Sequence, residues 1–139
     1  MKYKFSLLFI LLLIGGIFAY GQSTIVPAGL GQMSVTQPSR TTATLTAQLL
    51  STGGQNPTVK IRWGDEDRGT AVTPTDAWDN EITVSSNQAA GTFSTTITIP
   101  NLEKVYYFRA IASNAGGSVV SRQLGVLLPS APVLSLIHI

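Results

Sequence analysis

The stretch Trp63-Gly64-Asp65-Glu66-Asp67-Arg68-Gly69 crowds three carboxylates together, and Asp76, Asp79 and Glu81 follow a loop away. Two kinds of chemistry use acids placed like this. A calcium ion takes about six to eight oxygen ligands, and two acid-bearing loops supply several, which makes Asp65, Asp67 and Asp79 weak candidate ligands; their spacing is not that of an EF-hand loop. A glycosidase needs two carboxylates facing one another across a cleft, one with a raised pKa, and connections this short leave little cleft. The bland alternative is a solvated loop in which an Asp caps turn amides and Arg68 pairs with an acid. We adopt it, and assign no metal, no cofactor and no catalytic residue.

Other reactive-looking residues fare similarly. Trp63 shares the parity of Val59 and Ile61 and is expected in the core. Trp78, between Ala77 and Asp79, is a weak candidate for stacking on a sugar ring, against the simpler reading that it folds back over the edge of the domain. Serines are plentiful, but the one histidine is His138, near the C-terminus, so a Ser-His-Asp triad has no base elsewhere. The absence of cysteine excludes disulfides, thiolate nucleophiles and cysteine metal sites.

Composition sets the frame that must position any site. A chain of 139 residues holds one domain of ordinary size with short appendages. The formal charge is +2, but Lys2 and Lys4 lie at the extreme N-terminus, and without them seven positive residues face seven acidic ones. A neutral domain lacks the basic footprint of a nucleic-acid binder. The N-terminus itself, MKYKFSLLFILLLIGGIFAYGQS, pairs two lysines with an uncharged apolar run and ends in small residues, the pattern of a signal peptide cleaved after Gly21. That run is short for a membrane span. Residues 1–21 are therefore expected to direct export to the cell surface or medium, touching the membrane only if uncleaved.

Beyond residue 21 the pattern turns to alternation. In TATLTAQLL, Ala43, Leu45, Ala47 and Leu49 share one face, with Thr42, Thr44, Thr46 and Gln48 on the other. TVKIRWG sets Val59, Ile61 and Trp63 against a solvated face of Lys60 and Arg62; GTFSTTITIP and VYYFRAIAS alternate likewise. GQMSVTQ, NEITV and GSVVSRQLGVLL are weaker candidates. Seven short strands separated by Gly, Pro, Asn and Ser, with no helical period, predict an antiparallel β-sandwich over residues 27–128.

The segment LEKVYYFRAIASNAGG resembles the end of a fibronectin type III domain. Leu102, Tyr106, Ala112, Asn114 and Gly117 stand at the matching positions. The resemblance implies that Tyr106 is a tyrosine-corner residue, with its ring in the core and its hydroxyl bonded to nearby backbone. It extends to a bacterial secreted or surface subtype through TATLTAQLLSTGGQNP, WGDEDRG and AWDN in that order. Trp63 departs toward the immunoglobulin pattern, and Arg68 stands where the subtype carries glycine.

LPSAPV reads as an interdomain linker, with residues 129–133 leading toward a second module. The final LSLIHI, residues 134–139, resembles the translation of a transposase end sequence used in preparing sequencing libraries, and is expected to be foreign. The whole reads as a non-enzymatic structural or interaction module, the N-terminal fragment of a larger multidomain secreted or surface protein. Its partners would be neighbouring domains and an unidentified protein or glycan, not nucleic acid. The alternatives are a carbohydrate-binding or adhesive module, and an accessory domain of a secreted enzyme.

Overall fold

The computed structural model describes residues 21–72 and 78–129. The leader up to Tyr20, Asp76, the linker beyond Pro129 and the 134–139 tail with His138 lie outside the described residues. Eight strands and no helix occur among them: β1 (Gly29–Ser39), β2 (Thr42–Ser51), β3 (Thr58–Gly64), β4 (Asn80–Ser85), β5 (Gly91–Thr98), β6 (Tyr106–Asn114), β7 (Gly117–Val120) and β8 (Gly125–Leu127). β1, β2 and β5 form one sheet in the order β1-β2-β5. The other runs β4-β3-β6-β7, with β8 also pairing β6. Every pairing is antiparallel. The chain is thus an all-β, immunoglobulin-like or fibronectin III-like antiparallel sandwich.

The core follows from the alternation. Ala43, Leu45, Ala47 and Leu49 of β2 are almost wholly buried and face Val59, Ile61 and Trp63 of β3 and Phe108, Ala110 and Ala112 of β6. Small residues sit beside large ones across the ladders: Ala47 opposite Phe93, Ala43 opposite Ile97, Ala110 opposite Ile61, Ala112 opposite Val59. This alternation lets the two layers interdigitate at native packing density. Trp63 meets Tyr106 edge-on at 5.8 Å between ring centroids and lies nearly parallel to Phe108 at 6.4 Å, geometries that favour aromatic pairs.

Two expectations need correction. GSVVSRQLGVLL is two strands rather than one, so the count among the described residues is eight. After Val120 the chain turns inward and Ser121 is buried, its N–H donating to the Ala110 carbonyl at 2.8 Å and its Oγ accepting from the Ala110 N–H at 3.0 Å. A side chain thereby replaces a ladder carbonyl, and pairing with β6 resumes only at Gly125. The outer face of β3 and β6 is also not solvated throughout. Arg62 is 2% exposed, Arg109 8% and Ile111 4%.

Candidate functional site: the loop clasped over the outer sheet face

Arg62 on β3 and Arg109 on β6 are direct cross-strand partners. Two like charges in that position repel, and both are nearly buried. The fold resolves the conflict with one carboxylate for each. Glu81 on β4, the partner of Arg62 in the next ladder, accepts from Arg62 Nε at 2.7 Å and from Lys60 Nζ at 2.6 Å. Asp67, from the β3–β4 connection, takes a two-pronged bond from Arg109, 3.1 Å from Nε and 2.9 Å from Nη2. Such paired N–H···O contacts match the planar fork of the guanidinium to a carboxylate.

The Nη1 groups of both arginines reach backbone. Arg62 Nη1 donates to the carbonyls of Ala71 and Val72 at 3.4 and 3.1 Å, and Arg109 Nη1 to those of Ser121 and Arg122, both at 3.0 Å. Buried polar groups of this kind are tolerated only when fully paired. Among the described residues no buried side-chain nitrogen or oxygen lacks a partner.

The same connection is pinned at further points. Asp65 accepts from Lys104 Nζ at 2.5 Å, and the Asp65 N–H donates to Asp79 Oδ2 at 3.2 Å. Asp67 Oδ1 also accepts from the Gly69 N–H at 2.9 Å, and Arg68 pairs with Glu66 at 3.0 Å on the open surface. These contacts set the electrostatics. The hydrogen bond from Lys104 holds the Asp65 carboxyl below its usual range, and Lys104 is pushed up in return. Arg109 lowers Asp67 chiefly through its hydrogen bonds. Burial raises Glu81, but the bonds from Lys60 and Arg62 outweigh it and leave the carboxyl lowered.

The structure therefore places Asp65, Asp67 and Asp79 in one loop but turns them to three different partners: an ammonium, a guanidinium and a backbone amide. Among the described residues no group of three His, Cys, Asp or Glu side chains is gathered as a metal site would need. Trp78 is 5% exposed and stands outside the inter-sheet core cluster, so its ring has no open face for a sugar. Trp63 lies in the core. The Tyr106 ring is buried while its hydroxyl accepts from the Asn101 N–H at 3.1 Å. Asn114 Nδ2 donates to the Val26 and Thr52 carbonyls, both at 2.8 Å, and Asn114 Oδ1 accepts from the Gly116 N–H. Gly117 follows with φ 133°.

Sequence reasoning missed Arg62 and Arg109. Their only advance signal was a charge at an outward strand position beside an acid-rich loop, and their pairing depends on a register that alternation alone does not give. Chemically, Glu81 and Asp67, the carboxylates bonded to them, are each neutralised by a cation, which suits holding a loop. No protein-family profile matches the chain, and no curated protein does. A crystal structure of domains from titin is similar with a TM-score of 0.45 and 20% identity; the match covers 75% of this chain and 32% of the titin chain, so this chain spans about a third of that one.

Proposed function

We propose that the chain is an exported, non-enzymatic spacing and display module belonging to a larger secreted or surface protein. One observation carries this reading: the sandwich takes in and releases its chain at opposite poles. Val26 is tied to Gly53 and Asn114, beside the end of β6. Leu127 pairs with Tyr106, at the start of β6. A module built this way lengthens a protein when joined in series, and its loops face outward on a rigid sandwich. Residues 65–72 of the β3–β4 connection form such a loop, tied to the sheet by Arg62 and Arg109. The leader-like residues 1–21 support export, and the pairing of Asp65, Asp67 and Glu81 with cations supports display over catalysis.

The test is recovery of the tagged full chain from cells expressing it under its own leader. Terminal mass spectrometry should find Gln22 as the first residue, outside the cytoplasm. Intact Met1 in a cytoplasmic fraction would overturn export. Hydrolysis of polysaccharide substrates by the exported domain, abolished by Asp67→Asn, would overturn the non-enzymatic reading.

A further inference from the structure

A sheet edge is an open row of N–H and C=O groups, and folded domains ordinarily blunt it with bulges, proline, charges or a covering segment. Among the described residues this sandwich has four edges, and three are blunted. β1 carries three register irregularities and Pro38, and the side chain of Gln123 caps the Met33 N–H at 3.2 Å. β4 is irregular against β3 at Val59/Lys60 and carries Glu81. The β7–β8 edge is broken between Val120 and Gly125, where Arg109 caps the Ser121 and Arg122 carbonyls.

β5 has none of these devices. Gly91-Thr92-Phe93-Ser94-Thr95-Thr96-Ile97-Thr98 contains no charge and no proline, and it pairs with β2 without a register shift. The Ile99 N–H donates to the Thr41 carbonyl. Antiparallel bonds alternate by two residues, so Ile97, Thr95 and Phe93 bond toward β2 while Thr92, Ser94, Thr96 and Thr98 turn their backbone groups to the open side. Among the described residues those groups have no backbone partner, and all four residues are exposed.

We propose that β5 is a strand-addition edge whose occupant is β5 of a second copy of this chain, joining two sandwiches through a continuous six-stranded sheet about a two-fold axis. An antiparallel register centred on Thr95 sets Thr92 opposite Thr98 and Ser94 opposite Thr96 of the second copy, and each such pair exchanges two N–H···O bonds. The strand suits itself as a partner. No charge meets its own image, and hydroxyl faces hydroxyl across the new ladder, a favourable cross-strand pairing. The existing ladder already uses that pairing, with Thr44 Oγ1 and Thr96 Oγ1 at 3.1 Å. A self-complementary patch of this kind closes into a two-fold dimer without leaving a further edge of the same kind free. The proposal does not depend on export or on the spacing role.

The test is sedimentation equilibrium of the full chain up to about 1 mM, with hydrogen exchange at low and high concentration. The expected result is a reversible dimer, with exchange at Thr92, Ser94, Thr96 and Thr98 slowing as it forms. Ser94→Lys should raise the dimer Kd about tenfold or more by bringing like charges across the two-fold, at an unchanged melting temperature. Thr96→Pro, which deletes one open-side N–H, should do the same without adding charge, while Thr36→Lys on β1 should leave the dimer intact. A monomer throughout, a dimer indifferent to both β5 substitutions, or concentration-dependent protection on another strand would overturn the proposal.

Discussion

At the scale of single residues, the pair Arg62 and Arg109 makes the outer sheet face costly to disturb on one side of each contact and cheap on the other. Arg109→Ala leaves the Ser121 and Arg122 carbonyls and Asp67 without the guanidinium they share, and removing one member of a buried pair costs about 3–5 kcal/mol. Asp67 is a third exposed, so Asp67→Asn should cost less, about 1 kcal/mol, because water repairs part of the loss. Urea denaturation of both variants and of the double variant reads the coupling directly, and additive losses would mean the two side chains do not interact. Titration gives a second check. Asp65, Asp67 and Glu81 are lowered in the folded state from ordinary values of 3.8, 3.8 and 4.5, so the stability they supply is present above those values and drains away as pH falls through the lowered ones. Lys104 is raised from 10.5, so its contribution is complete below that value and is lost as pH climbs past the raised one. The urea midpoint should therefore hold level near neutrality and fall at both extremes, and Lys104→Met should remove the alkaline fall together with part of the acid one.

Elements were legible where one face is buried and unreadable where contacts cross between non-neighbours. β2, β3, β5 and β6 announce themselves because a period of two survives along each, and the inner apolar residues read from it lie in the core. The break between β7 and β8 is hidden, since Ser121 replaces a ladder carbonyl with its own hydroxyl and no local residue type signals that. The clasped loop was half visible. Its acids stand out, whereas the arginines that hold it lie on strands apart in sequence and meet only through the Arg62–Arg109 register. The N-terminal strap was similarly obscure. Residues before β1 run over two turns so closely that a Cβ at Gly53 or Gly116 would strike the Val26 backbone, and Gly53 also has φ 69°. Gly116→Ala should dislodge the strap, with loss of about 2 kcal/mol or more and faster exchange of the Val26 amide. Gly69→Ala is the contrasting case: φ is 77° but nothing lies within 4 Å, so only backbone strain remains, about 1 kcal/mol. Equal losses at the two glycines would mean that the strap contributes nothing to the stability of the sandwich.

For the molecule as a whole, the decisive dimension is the separation of the two poles. β6 runs from Tyr106, beside the outgoing β8, to Asn114, beside the incoming Val26. Eight steps of about 3.4 Å make that separation about 27 Å. The apolar residues left on the surface gather toward the same ends: Val26, with Leu50 beside the Gly29 and Gly31 segment, at one pole, and Val126 with Leu128 at the other. Exposed apolar groups near a chain exit are suited to contact with a neighbouring module, which would limit bending at the joint. Because the chain has no cysteine, two introduced ones report this dimension without interference. Gln22→Cys and Pro129→Cys carry spin labels on exposed residues just beyond the two poles. Electron–electron resonance measured at a dilution that suppresses association should return a distribution centred beyond about 25 Å. A centre well short of that would place both ends on one side of the sandwich, and a module shaped so would fold a multidomain protein back on itself instead of extending it.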